Sequence, residues 1–136
     1  MGFAPCQKEL RPFLLDLMEA VEDIPGSALQ EGINWEWETF PEYLETVVKL
    51  PKAINYGAFL GHSALRMYAM GDRALTETAG DDDLRKMGAS VSEALQAGAL
   101  GFSTSRATTH VTPDGSPIAS RIADWSEIDY LVDIMA

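Results

Sequence analysis

The sequence has 136 residues, of which 46% are hydrophobic and 23% are charged, a composition typical of a soluble globular domain rather than a disordered chain. Its 10 Lys and Arg residues stand against 21 Asp and Glu residues, and the resulting net charge of −11 disfavours nucleic-acid binding, because phosphate contacts require clustered basic side chains. No apolar run approaches the roughly 18–20 residues of a membrane span, and no secretory signal is visible. The single cysteine, Cys6, excludes an internal disulfide. We therefore expect a cytoplasmic protein that binds neither nucleic acid nor membrane.

The first part of the sequence predicts two helices with an irregular segment between them. Apolar side chains recur at helical spacing over residues 13–21, and the Ile-Pro-Gly turn at residues 24–26 ends that helix. Residues 27–38 are expected to be irregular, with their two tryptophans used for packing. A capping-box pattern, T-x-x-E at residues 39–42, starts the second helix, and Pro51 stops it.

Two short apolar runs, residues 53–60 and 99–104, have the length and composition of β-strands. Such runs are typical of strands that are covered on both faces, as in a parallel sheet. Strands that alternate with helices predict an α/β fold, here with about two parallel strands and flanking helices. Because two strands leave their edges unpaired, we expect part of a larger fold, with self-association through the exposed sheet edges.

Three further helices are expected around these strands. Ser63 is predicted to cap a short helix. The carboxylates at residues 81–83 favour the solvated start of a longer helix, which Gly98 closes. After a loop at residues 105–124, Ser126 is predicted to cap a last helix. The inward side chains of that last helix are expected to be Ile128, Leu131, Val132 and Met135.

Five stretches of the sequence form an ordered set of motifs. They are GFAP at residues 2–5, MEAVEDIPG at 18–26, WEWETFPEY at 35–43, GHSALR at 61–66 followed by MG at 70–71, and ALQAGALGFSTSR at 94–106. Together they resemble the D-aminoacylase, or N-acyl-D-amino-acid deacylase, family of the amidohydrolase superfamily. The resemblance implies a metal-dependent (β/α)8 TIM-type barrel, in which zinc activates water to attack the amide bond of an N-acyl-D-amino acid.

The resemblance implies that the metal-binding and catalytic residues lie elsewhere. A barrel of this type needs about 250 residues, so residues 1–136 are expected to form a single incomplete domain. The family's H-x-H motif is absent, its metal-binding cysteine would precede Met1, and Cys6 does not inherit that role. The family's later histidine ligands and its catalytic aspartate would follow Ala136. We therefore expect no zinc binding, no catalytic residue and no activity in this chain alone, since His62 and His110 also lack ligand spacing.

The part of the family's site that the sequence retains is the substrate wall, with residues 105–124 as a substrate-side loop. In many relatives GFST is followed by G-L-x-Y-x-P, whose tyrosine helps to hold the substrate, but no tyrosine follows here. Arg106 either binds a substrate carboxylate through its guanidinium fork or pairs with a neighbouring acid or carbonyl. His110 either contacts the substrate or has a role within the loop, and His62 either reaches the barrel mouth or helps Arg66 to fix the strand-to-helix turn.

The hydroxyl groups of GFSTS are expected to form hydrogen bonds rather than to act as nucleophiles, since no G-x-S-x-G elbow surrounds Ser103, Thr104 and Ser105. The predicted substrate-binding residues are thus Arg106, His110, His62 and Ser105, and the expected partner is a small N-acyl-amino acid. Two alternatives stay open from the sequence: a stand-alone acidic interaction module, and one half of a split hydrolase.

Overall fold

The computed structural model describes residues 2–136, and it shows a mixed α/β fold that is mostly helical. Two short strands and seven α-helices occur within these residues. In chain order they are α1 (Arg11–Glu22), α2 (Gly26–Gly32), α3 (Phe40–Lys49), β1 (Leu60–Gly61), α4 (His62–Met70), α5 (Asp81–Gln96), β2 (Phe102–Ser103), α6 (Ala119–Ile122) and α7 (Trp125–Asp133). None of the helices in this described range is long and apolar enough to cross a membrane.

The two strands pair in parallel, as the sequence predicts, with Leu60 opposite Phe102 and Gly61 opposite Ser103. Two further backbone bonds, from Leu60 N to Gly101 O at 2.9 Å and from Leu100 N to Ala58 O at 2.8 Å, join the same two segments. The strands are much shorter than the predicted runs at residues 53–60 and 99–104. A long connection containing α4 and α5 joins them, which is the usual arrangement for parallel neighbours.

Within the described residues, residues 53–60 are not covered on both faces as expected. Leu60 is buried in the main apolar core, whereas Phe59, which points to the opposite side of the chain, is 54% exposed. Ile54 is 80% exposed. The physical reason is that the helices supply apolar partners only on the Leu60 side of the chain. Among residues 2–136, the Phe59 side lacks such partners.

The main core lies between β1 and helices α3, α4, α5 and α7. Its buried side chains come from every one of these elements: Phe40, Leu60, Leu65, Met87, Val91, Ala94 and Leu131, together with Ala4 and Trp37 from the preceding loops. Helix α5 contributes Met87 and Val91 to this core, and Leu84 and Leu95 pack against it. This core fixes the positions at which α4 and α7 approach the strand ends.

The first part of the chain follows its local signals, with one exception. The capping box of Thr39 and Glu42 starts α3, as predicted, and helix α1 carries Pro12 in its first turn. The prediction of an irregular segment at residues 27–38 is wrong at its start, because α2 forms there and packs Leu29 against α1. The packing role of the tryptophans is confirmed by Trp37, which is buried.

Two predicted helix caps are wrong. Ser63 lies inside α4, after Gly61 at the N-cap, and its hydroxyl accepts a hydrogen bond from Ser120 N. The N-cap of α7 is Asp124, whose carboxylate accepts from Glu127 N at 2.9 Å, while Ser126 donates to the same carboxylate. A charged carboxylate is the stronger acceptor for the amide groups of a helix N-terminus, which explains why Asp124 takes the capping position.

The last part of the chain differs from its prediction in three details. The carboxylates at residues 81–83 do start α5, but Asp83 is 5% exposed and accepts a hydrogen bond from Arg73, so it is not solvated. The predicted loop at residues 105–124 contains the short helix α6. On α7 the inward positions Ile128 and Leu131 are confirmed, whereas Val132 is 45% exposed because it lies on the outer side of the helix.

Candidate functional site

A pocket of about 220 Å³ opens at the carboxyl ends of β1 and β2. This end of a parallel sheet is where α/β folds place their ligand sites. The lining residues come from the two strand ends, the first turn of α4 and the start of α6: Gly61, His62, Ser63, Ser103, Thr104, Ser105, Ile118 and Ser120. Five of these eight residues carry hydroxyl groups, so the pocket offers hydrogen-bonding groups to a ligand.

His62 connects this pocket to the interior. It is the first residue of α4 and is 1% exposed. Its Nδ1 lies 2.8 Å from Thr104 Oγ1, and its Nε2 lies 2.6 Å from Glu127 Oε1. The Phe102 ring meets the imidazole edge-on, with the ring centroids 4.9 Å apart. Both ring nitrogens therefore have partners and the ring plane is fixed.

Arg66 lies one helical turn after His62 on the same side of α4, and it is fully buried. Its guanidinium donates to the second carboxylate oxygen of Glu127 and, at 2.6 Å, to Glu77 O. Glu127 projects inward from the first turn of α7 and is buried between these two side chains. We refer to His62, Arg66 and Glu127 as the buried charge cluster.

The buried charge cluster keeps Glu127 ionised. Burial raises the pKa of Glu127, but the hydrogen bonds from His62 and Arg66 and the charge of Arg66 outweigh it, so this pKa lies below its usual value. One carboxylate thus bridges the start of α4 to α7 directly behind the pocket. Removal of either donor would leave this buried carboxylate incompletely paired, which destabilises the fold.

A second set of hydrogen bonds holds the loop side of the pocket. Ser105 Oγ lies 2.9 Å from His110 Nδ1, and the Ser105 carbonyl accepts from Ser120 Oγ at 2.8 Å. Ser120 N donates in turn to Ser63 Oγ at 3.1 Å. The loop after β2, helix α6 and the start of α4 are therefore tied together around the pocket.

Arg106 lies on the other side of this loop. Its guanidinium donates to Ala123 O at 2.8 Å and stacks over the Trp125 ring at 5.2 Å from the centroid. Arg106 does not line the pocket. Of the four predicted substrate-binding residues, the structure thus places His62 and Ser105 at the pocket, His110 beside Ser105, and Arg106 against the start of α7. Their roles toward a substrate stay predictions.

The sequence did not identify Glu127 as a residue of the site, and it did not predict the contact between Thr104 and His62. Glu127 precedes Leu131 by four residues on α7, so the two share one face of the helix, and that face is buried. The available signal was an acidic residue at an inward position of α7, together with His62 and Arg66 four residues apart on another apolar helix. The signal did not identify the pair, because Glu127 is 61 positions from Arg66.

The described residues do not fit a zinc site. Within residues 2–136 no group of three or more His, Cys, Asp or Glu side chains is placed to hold a metal ion. Thr104 and Glu127 engage the two nitrogens of His62. Cys6 is buried beside α1, and burial raises the pKa of its thiol to about 11, which disfavours the thiolate that a metal requires.

Comparison with curated proteins finds long uncharacterized relatives in mycobacteria. Uncharacterized proteins of Mycobacterium tuberculosis and Mycobacterium bovis are each 35% identical to this chain over 130 residues, which cover 88% of the chain and 21% of the relative. The chain thus spans about a fifth of the length of these relatives. No family model matches the sequence, and no solved structure matches it either.

Two relatives with named activities also match. A D-aminoacylase of Alcaligenes xylosoxydans xylosoxydans is 35% identical over 91 residues, which cover 67% of this chain and 18% of the enzyme. An N-acyl-D-aspartate deacylase of the same organism is 37% identical over 104 residues, which cover 76% of the chain and 18% of the enzyme. These partial matches support a relationship between this chain and the amidohydrolases.

Proposed function

We propose that this chain forms one wall of the substrate site of a zinc-dependent hydrolase that cleaves the amide bond of N-acyl-D-amino acids, and that it is inactive alone. The observation that carries the proposal is the hydroxyl-lined pocket at the carboxyl ends of two parallel strands. The pocket is built from the GHS and STS residues of the stretches that resemble the deacylases. The names of the two enzyme relatives point to the same class of substrate.

A (β/α)8 barrel is the fold that we propose for the complete site. The parallel pairing of β1 and β2 through a helical connection is the repeating unit of such a barrel. Phe59 faces away from the helices and is exposed, as expected for a side chain that needs further strands to cover it. The same exposed face supports the split-hydrolase alternative, in which another chain supplies those strands.

The proposal assigns the zinc ligands and the general base to residues other than those described, since the described residues do not fit a zinc site. Within the chain, Thr104 and Ser105 would contact the bound molecule directly, and the buried charge cluster would hold the ends of α4 and α7 behind them. Arg106 stays the proposed contact for the substrate carboxylate, and His110 stays a proposed contact for the substrate, both on the loop at residues 105–124.

A segment exchange tests the proposal. The 91 matched residues of the Alcaligenes D-aminoacylase are replaced by their counterparts from this chain, and the chimera is compared with the parent enzyme. We expect hydrolysis of N-acetyl-D-amino acids that requires zinc, with the parent enzyme as the positive control. A chimera that folds and binds zinc, as shown by circular dichroism and metal analysis, yet leaves every N-acyl-D-amino acid intact would contradict the proposal.

The 136-residue chain alone supplies the complementary test. We expect less than stoichiometric zinc and no amide hydrolysis after purification and dialysis against zinc. One zinc per chain together with measurable deacylation would show that the chain is a complete enzyme. Recovery of activity on mixing with the remaining part of the D-aminoacylase would favour the split-hydrolase alternative.

A further inference from the structure

We propose that Thr104 is a hydrogen-bond acceptor, fixed in that role by His62 and Glu127, which receives the amide N–H of a bound N-acyl-amino acid. The inference rests on the proposed function for the identity of the ligand. It makes Thr104, which the sequence only predicts to form hydrogen bonds, a specificity-determining residue. It follows from the direction of the hydrogen bonds behind the pocket.

The direction of these hydrogen bonds is set first at Glu127. Because the hydrogen bonds of the buried charge cluster keep this carboxylate ionised, it accepts hydrogen bonds and has no proton to donate. His62 Nε2, at 2.6 Å from Glu127 Oε1, must therefore carry a proton. The neutral form of His62 with hydrogen on Nε2 leaves an unprotonated Nδ1.

Charge balance favours that neutral form. Arg66 already neutralises Glu127 inside the cluster, and both of these residues are buried. A proton on Nδ1 would add an uncompensated positive charge to His62, which is 1% exposed. His62 Nδ1 is then an acceptor, so the hydroxyl of Thr104, at 2.8 Å, must donate its only proton to it.

Thr104 consequently presents only lone pairs to the pocket. The residue is exposed and lines the pocket, so a ligand can reach its oxygen. Ser103 lines the same pocket, and in the described part of the chain its side chain forms no hydrogen bond, so its hydroxyl is free to donate or accept. The ligand group opposite Thr104 must be a donor, whereas Ser103 imposes no such choice.

A secondary amide is the donor that we assign to this position. The pocket, at about 220 Å³, is smaller than the roughly 300–1,000 Å³ of drug-sized sites and fits a small acylated amino acid. An acyl-amino acid has one N–H, and a fixed acceptor beside it orients the amide plane. Loss of one neutral hydrogen bond changes affinity by about five- to tenfold.

The test compares two probes that differ only in this N–H. N-acetyl-D-alanine and N-acetyl-N-methyl-D-alanine are titrated into the isotope-labelled 136-residue chain, and dissociation constants are taken from backbone amide shifts of the pocket residues. Four proteins are compared: wild type, Thr104→Val, Thr104→Ser and the matched pocket control Ser103→Ala. Thr104→Val keeps the shape of the side chain but removes the acceptor, while Thr104→Ser keeps the acceptor.

We expect wild type, Thr104→Ser and Ser103→Ala to prefer the N–H probe by about five- to tenfold, and Thr104→Val to bind both probes equally. If Thr104→Val keeps the preference, the discrimination is steric and the inference is overturned, although the proposed function stands because both probes bind. If wild type binds both probes equally, the inference is overturned in the same way. Failure of every protein to bind either probe, with folding confirmed by the spectra, would contradict both the inference and the proposed ligand.

Discussion

His62 and His110 form the same local contact in two different surroundings. Each places its Nδ1 within 2.9 Å of a hydroxyl on the GFSTS segment, Thr104 for His62 and Ser105 for His110. His62 is buried against a carboxylate and an aromatic ring, whereas His110 is half-buried on a loop. The carboxylate fixes the proton on His62, and no comparable group fixes it on His110 in the described residues.

The comparison shows that a histidine–hydroxyl contact gains a defined direction only through the group on the other side of the ring. For His62 that group is Glu127, which Arg66 holds in turn. For His110, no further group in the described residues binds the other side of the ring, and the backbone carbonyl of His110 accepts a hydrogen bond from Arg121. The two pairs should therefore respond differently to substitution.

The largest effect is expected for Glu127→Ala. Removing the carboxylate leaves Arg66 as an unpaired buried charge, so the free energy of unfolding should fall by about 3–5 kcal/mol. Urea denaturation followed by circular dichroism measures this loss. Glu45→Ala on α3 is the control, since Glu45 is exposed and its substitution should stay within about 0.5 kcal/mol. Similar losses for both variants would show that the cluster adds no stability.

The next effect separates the two histidines directly. His62→Ala removes two hydrogen bonds and the contact with Phe102, and it leaves a gap in a buried position, so a loss of about 2–4 kcal/mol is expected. His110→Ala should lose no more than about 1 kcal/mol. Equal losses in urea denaturation would mean that the different surroundings do not matter.

The pH dependence of stability sharpens the same contrast. The pKa of Glu127 is lower in the folded chain than in the unfolded chain, so its stabilisation is present at pH values above its ordinary pKa of about 4.5. It is lost as the pH falls through the lowered folded value. The stability difference between wild type and Glu127→Gln should therefore shrink between pH 6 and 3, as urea titrations at each pH would show. A difference that stays constant over this range would argue that Glu127 is not an ionised partner.

The cap of α7 controls the position of Glu127. Asp124→Ala should cost about 1 kcal/mol, because the carboxylate accepts from Glu127 N at the start of the helix. Ser126→Ala is the matched control and should change stability by less than about 0.5 kcal/mol, since Ser126 only donates to Asp124. The reverse order of the two effects would restore Ser126 as the cap that the sequence predicts.

The smallest effect is expected at Arg106. Its stacking on the exposed Trp125 ring is worth about 0.5–1 kcal/mol, so Arg106→Ala should reduce the free energy of unfolding by that amount. Arg106→Lys should retain part of it. A larger loss, comparable with that of His62→Ala, would place Arg106 among the residues that hold the pocket together.

Local signals in the sequence predicted the longer helices but missed the short helices α2 and α6, and they did not predict contacts between distant segments. The start of α3 was predictable because both halves of its capping box lie within four residues. The extent of β1 was not, because an apolar run forms a strand only where a neighbour pairs with it, and most of residues 53–60 have none in the described chain.

The candidate site shows the same division. The pocket side of the site follows from the GFSTS motif at the end of a strand, so Ser105 was predictable as a residue at the pocket. Glu127 was not, because it meets His62 across 65 positions through the packing of two helices. The role of Thr104 depends on that distant contact, and the motif alone does not indicate whether the Thr104 hydroxyl donates or accepts a hydrogen bond.

The proton on His62 is the most direct test of this account. Long-range ¹H–¹⁵N correlation spectra of the labelled chain at pH 7 distinguish a protonated ring nitrogen from an unprotonated one. We predict hydrogen on Nε2 and a bare Nδ1 for His62, and loss of this fixed state in Glu127→Gln. A neutral ring with hydrogen on Nδ1, or a doubly protonated ring at pH 7, would contradict the account, because Thr104 would then be free to donate into the pocket.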